Sequence, residues 1–200
     1  MGKPGPIDLT DASTWGHVLI TDADTGEVLL DQHNAIHSEN LSVAIARALA
    51  GSPDGHIYEM HFGNGGSTVS GTGSITYLPP NTESSDSDLY NTTYFKIIDE
   101  SSPLNVDPSR NSVTMKHVQG LKFSDIVIKA TLEFGEPAGQ QAFDDSTNLD
   151  GEFVFDEIGL KTFDVTSNNG LMISHVIFSP IQKSLNRQIQ VLYTIRVQLG

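Results

Sequence analysis

From Gln188 to Leu199 the apolar residues fall on odd positions: Ile189, Val191, Tyr193, Ile195, Val197 and Leu199. The even positions hold Gln188, Gln190, Thr194, Arg196 and Gln198, with Leu192 the one exception. A period of two over this length predicts a long β-strand with those six odd residues on the core face. Only Gly200 follows, and a terminal segment frays unless it is tied down. The strand is therefore expected to be paired on both sides within a sheet.

The same patterning predicts the other elements. Trp15 to Thr21 and Glu27 to Asp31 read as two strands joined by a turn at Asp22-Ala-Asp-Thr-Gly-Glu. One helix is expected from about Glu39 to Ala50, with Ser38 or Asn40 as its cap and Gly51 at its C-terminal stop. Leu41, Ile45 and Leu49 are spaced by four, and alanines between them leave a smooth face for packing on a sheet. Further strands are expected at His56–Phe62, Tyr90–Ile98, Val113–His117, Ser124–Phe134, Phe153–Phe163 and Leu171–Phe178. Asn169-Gly170 turns the last two into a hairpin, and Pro180 ends it. The predicted fold is mainly β: an antiparallel β-sandwich or curled sheet with one short α-helix near the N-terminus and long loops.

Residues 1–14, with two prolines and two glycines, read as an N-terminal arm. Residues 15–200 form a single β-rich domain with long loop insertions at about 63–89 and 135–150. Loops of that length in a compact domain are commonly functional, and these are expected to order on a neighbour. The opening Met-Gly-Lys-Pro-Gly-Pro lacks the apolar core of a signal peptide, and no run approaches the eighteen apolar residues of a membrane span. Cysteine is absent, which excludes disulfides and thiolate chemistry and fits synthesis in a reducing cytoplasm. With 25 acidic and 11 basic residues the net charge is −14, which repels phosphate backbones. No direct nucleic-acid partner and no membrane insertion are expected.

Candidate chemistry is sparse. His33 and His37 have ligand spacing only on a helix, and they read as hydrogen-bonded loop histidines. His56 and His61 would point to opposite faces of a strand. Asp22-x-Asp24-x-Gly26-Glu27 has part of a calcium loop, but the glycine is one place early and His33 stands where the closing Glu belongs. A hairpin turn accounts for it. Asp86 and Asp88, and Asp144 with Asp145, read as solvated loop charge. Gly63-x-Gly65-Gly66 follows a strand as a phosphate loop would, yet the last fingerprint glycine is replaced by Thr68 and no helix follows. Asp156 and Glu157 are adjacent on a strand and are expected to face oppositely, a poor glycosidase pair. No Gly-x-Ser-x-Gly elbow occurs. No catalytic, cofactor-binding or metal-ligating residue is assigned, and no enzyme is expected.

Two blocks carry a resemblance. The first is Gly26-Glu-Val-Leu-Leu-Asp-Gln-His-Asn-Ala-Ile, the helix ending Ala-Leu-Ala-Gly51, and Ile57-Tyr-Glu-Met-His-Phe-Gly-Asn-Gly-Gly66. The second is Phe153-Val-Phe-Asp-Glu-Ile-Gly-Leu, with Ile173-Ser-His-Val-Ile-Phe-Ser-Pro-Ile-Gln-Lys and Arg187-Gln-Ile-Gln-Val-Leu-Tyr-Thr-Ile-Arg-Val. Together they cover about half the chain and resemble small structural proteins of tailed bacteriophages. The resemblance implies a virion component of the tail, neck or baseplate. It would be made in the host bacterial cytoplasm and assembled into symmetric rings with copies of itself and neighbouring virion proteins. It brings no active-site residues. A capsid decoration protein or a receptor- or glycan-binding module is the alternative, weakened by loops whose only aromatics are Tyr77 and Phe143.

Overall fold

A computed structural model describes residues 12–137, 154–165, 170–184 and 186–200. Among these residues there are eleven strands: β1 Ala12–Asp22, β2 Val28–Ile36, β3 Ile57–Gly63, β4 Ser67–Val69, β5 Ile75–Tyr77, β6 Thr92–Ile97, β7 Ser112–His117, β8 Phe123–Leu132, β9 Val154–Thr162, β10 Met172–Gln182 and β11 Ile189–Leu199. One α-helix, α1 Ser38–Leu49, precedes a short 3-10 turn at Pro53–Gly55. Nine strands form one antiparallel sheet in the order β6-β3-β9-β10-β2-β1-β11-β8-β7. It curls into a half-barrel, the curled-sheet form of the predicted fold class. Phe62 of β3 and Leu132 of β8 lie near opposite ends of the strand order, yet they line one apolar pocket with Ile20, Phe155 and Val191. Curling is what brings them together and creates the core.

The last strand behaves as its period demands. β11 pairs with β1 from Ala12↔Leu199 to Asp22↔Ile189, and with β8 on its other side. Ile189, Val191, Tyr193 and Ile195 are fully buried. The core face runs out of cover beyond them: Val197 is half-buried and Leu199 is 53% exposed, against expectation. Residues 12–14, read as part of the arm, begin β1 because Leu199, Gln198 and Val197 give them partners. The remainder of the arm and most of loop 135–150, Phe143 included, lie outside the described residues.

The joint between β2 and β10 has two register pairs, Ser174↔Ile36 and His175↔Ala35. Elsewhere the register breaks at Ile177/Ile181, and this irregularity lets β10 run past Pro180 to Gln182. Pro180 therefore does not end the strand. Helix α1 also differs in its details. Its N-cap is His37, whose ring accepts the Asn40 N–H, while Asn40 donates its amide to the Met172 and Ser85 carbonyls. The buried face is Asn40, Leu41 and Ala44, and Leu49 is exposed. The 3-10 turn follows closely on the helix, and a Cβ on Gly55 would sit 2.5 Å from the Ala48 nitrogen. Small residues on α1 serve that contact. Gly51 takes φ +72 after the helix, as a C-terminal stop requires.

Candidate functional site

The densest polar chemistry lies on β9 and β10, beneath the segment 63–91. Glu157 and His175 are both completely buried. Glu157 Oε1 accepts the backbone N–H groups of Gly65 at 3.0 Å and Asn91 at 2.8 Å. Its Oε2 accepts the Tyr90 N–H at 2.9 Å and His175 Nε2–H at 3.0 Å. His175 Nδ1 in turn accepts the Asn81 N–H at 2.8 Å. That last bond fixes the tautomer: with Nδ1 an acceptor, the ring is neutral and Nε2 carries the proton.

Asp156 extends the arrangement. Its carboxylate accepts the Gly66 N–H at 2.9 Å and the Ser67 hydroxyl at 2.5 Å. The two adjacent carboxylates thus grip consecutive amides of Gly65-Gly66, where the strand alternation predicted opposite faces. The register break in the β9–β10 ladder accompanies this departure from alternation. Their protonation tendencies diverge. Burial raises the Asp156 carboxyl above its ordinary value, and the neighbouring Glu157 charge adds to this against the bonds from Ser67 and Gly66. Burial pushes Glu157 the same way, but the His175, Asn91, Tyr90 and Gly65 donors together outweigh it and hold the group below its ordinary value.

The glycines of Gly63-x-Gly65-Gly66 now have a structural reason. A Cβ on Gly63 would lie 2.5 Å from both the Asn91 carbonyl and Glu157 Oε1, and one on Gly65 would lie 2.7 Å from Tyr90 Cβ. Backbone N–H groups that could cradle a phosphate are occupied by the chain's own carboxylates. Within this segment β4 and β5 form a small hairpin, so residues 63–89 are not structureless. Leu89 is buried above Gly159, where a Cβ would meet Leu89 Cδ1 at 2.5 Å. Lys161, nearly buried, reaches Asp88 at 2.5 Å. Chemically this is a fastener. The imidazole is bonded through both nitrogens, and the Ser67 hydroxyl is turned to Asp156.

The other sequence candidates are dispersed. His33 lies on β2, not in a loop; its Nδ1–H meets the Gly16 carbonyl at 3.2 Å and its ring packs against Trp15 and His17. His37 caps α1 and donates through Nε2 to the Ser84 carbonyl at 2.7 Å. His56 stacks on Phe163 and lies 3.4 Å from Asp99, whereas His61 stacks on Phe95 and bonds Glu59 at 2.8 Å. Asp22 folds the hairpin turn by accepting the Asp24 and Thr25 N–H groups, and Arg187 binds it at 2.8 Å. Asp86 bonds Ser84 and Asp88 bonds Lys161; Asp144 and Asp145 lie outside the described residues. Among the described residues no group of three His, Asp or Glu side chains could hold a metal ion, and no helix is long and apolar enough to cross a membrane.

A second polar constellation crosses the outer side of the sheet. Arg196 makes a two-point ion pair with Asp125, at 2.7 and 2.8 Å, and lies over the rings of both Phe123 and Trp15. Trp15 is 38% exposed, and His17 bonds Asp31 at 2.6 Å beside it.

No known protein family, curated protein or solved structure matches this chain.

Sequence reasoning missed the Glu157–His175 fastener. The available signal was a glutamate and a histidine inside strands with apolar residues at both parities. That pattern indicates burial on both faces, and a buried charge needs partners.

Proposed function

We propose that this chain is a structural component of a bacteriophage virion, of the tail, neck or baseplate, that assembles with copies of itself and with neighbouring virion proteins. The observation that carries the reading is how the buried polar groups are used. Glu157, Asp156, His175, Lys161 and Lys96 bind the chain to itself. Lys96, on the edge strand β6, reaches the Thr131 carbonyl of β8 and Glu136, and so ties the two ends of the curled sheet together. Such a molecule invests its polar interior in shape. The two blocks that resemble phage structural proteins fall on β2, α1 and β3, and on β9, β10 and β11, so the resemblance follows the sheet. The test is quantitative mass spectrometry of purified particles from the phage encoding this chain. A fixed copy number per particle is expected, and absence from particles overturns the proposal.

The outer constellation favours one second reading, a glycan-binding role. Trp15 is partly exposed, with the Arg196 guanidinium over its ring and His33 edge-on to it, an aromatic and cationic surface of the kind that receives a sugar ring. Glycan-array binding that is lost in Trp15→Ala would support it.

A further inference from the structure

Where the two ends of the curled sheet meet, charged side chains are drawn together. Lys96 of β6 pairs with Glu136, which also accepts the Glu133 N–H at 2.9 Å. Glu133 pairs with Arg110 at 2.7 Å and takes the side-chain amide of Gln188. Arg187 pairs with Asp22 at 2.8 Å, at the end of β1. Three cations thus stand against three carboxylates.

Lys183 adds a fourth cation, and it is completely buried. It follows directly on β10, and its Nζ donates to the Ser184 carbonyl at 2.9 Å. The charges that act on it come from the elements around it: Glu133 and Glu136 beyond β8, Lys96 on β6 and Arg187 before β11. On the β9 side, Val154 pairs with Gln182 and brings no charge. The two carboxylates favour the ammonium, whereas burial and the two cations oppose it. Burial is the largest influence, and it pushes the amine down from its ordinary 10.5 to about 8. At neutral pH the fold therefore holds this charge in its interior at a cost, which is relieved when the proton leaves.

The same corner borders the core. Leu132, Ile181 and Ile189 each lie within two positions of Glu133, Lys183 or Gln188, and they line the apolar pocket with Phe62 and Phe155.

We propose that Lys183 makes this seam a proton-operated latch: with the amine neutral the ends of the sheet are held shut, and with the amine protonated the seam between β6 and β8 loosens and opens the apolar interior to solvent. The latch belongs to the fold and does not depend on the virion reading. Its sign is fixed by linkage. Folding releases a proton between about pH 8 and 10.5, so stability rises with pH through that window, and the cost of the buried charge is present in full below it.

The chain contains no cysteine, so spin labels can be placed on both sides of the seam through Thr92→Cys on β6 and Phe134→Cys beyond β8, both exposed positions. Electron spin resonance is expected to give a longer and broader distance distribution at pH 7 than at pH 9.5. In urea denaturation of the unlabelled protein, Lys183 is expected to raise the folding equilibrium constant roughly thirtyfold between those pH values, the factor that follows from 10.5 and about 8. Lys183→Met keeps an unbranched side chain without the charge. It is expected to give the narrow distribution at both pH values and to lack that gain. A distribution that ignores pH, or that responds equally in Lys183→Met, overturns the latch. So does a Lys183 side-chain resonance that titrates at the ordinary lysine value in NMR of the wild type, a measurement that decides the question even where Lys183→Met fails to fold.

Discussion

Replacing Glu157 with Gln changes one oxygen to an amide nitrogen and removes one charge, with almost no change in volume. The native carboxylate accepts four hydrogen bonds. Gln can still accept from Gly65 and Asn91 through its carbonyl oxygen. Its NH₂ then faces the Tyr90 N–H and His175 Nε2–H, so donors meet donors. His175 cannot relieve this by moving its proton, because Nδ1 would then confront the Asn81 N–H. Two buried donors lose their acceptor, at about 1–3 kcal/mol each, so the expected loss is roughly 2–6 kcal/mol. Against a total of about 5–15 kcal/mol, that is a large fraction. Urea denaturation should show a lower midpoint, and hydrogen exchange should show lost protection at the Tyr90 and Asn91 amides first. The sign with pH follows from the depressed carboxyl. The stabilisation by Glu157 is complete above its ordinary value of 4.5 and is lost as pH falls through the lower folded value. The gap between wild type and Glu157→Gln should therefore be full near neutrality and narrow in acid. A Gln variant within about 0.5 kcal/mol of wild type, with Tyr90 and Asn91 still protected, would refute the reasoning, since that is the range of an inconsequential surface change.

Three further outcomes follow from the same structure. Ile195→Asp places a carboxylate in the core and should give unfolded or insoluble protein, Thr194→Asp on the half-buried opposite face should be milder, and Leu199→Asp should be tolerated; equal solubility of Ile195→Asp and Leu199→Asp would show that the core does not thin toward that end. Gly63→Ala should cost about as much as a core overpacking, roughly 1–3 kcal/mol by thermal or urea unfolding, because the new methyl meets the Asn91 carbonyl and Glu157; a neutral variant would mean that the Gly63–Asn91 approach relaxes freely. Asp22 is held down to about 2 by the Thr25 backbone N–H and by Arg187, so its contribution is present above the ordinary 3.8 and disappears as pH falls toward 2. Asp22→Asn should flatten the acid limb of the stability–pH curve in that window, and an unchanged limb would count against the bond network at the turn.

The strands were legible wherever one side of the sheet meets the core and the other does not. β11 shows this best, since the buried residues Ile189, Val191, Tyr193 and Ile195 alternate with half-buried Gln190, Leu192 and Thr194 as the period predicts. Its far end was misjudged because periodicity records which face a residue is on, not whether anything lies over that face. The β9–β10 region was less legible for the opposite reason. Segment 63–91 covers the second face there, so polar residues that would normally signal solvent are interior. Its cover is made by backbone amides of a Gly-, Ser- and Asn-rich stretch. Those donors belong to every residue type, and no composition marks them as spoken for. Helix α1 was placed correctly by its C-terminal glycine, but its buried face was set by the tertiary contacts of Asn40, which a hydrophobic spacing cannot register.

The long β1–β11 ladder has a temporal consequence. Ile20 is paired with Val191, about 170 residues later in the chain. At the usual ribosomal pace of about 5–20 residues per second, roughly 9–35 s pass between the synthesis of one partner and the other. Throughout that interval β1 can pair only with β2, and the nascent molecule carries Val18 and Ile20 without their final neighbours. The molecule is thus exposed to aggregation for a period set by the ribosome and not by its own folding rate. Conditions that slow elongation lengthen that interval, so the yield of soluble protein should track how quickly the last strand is delivered.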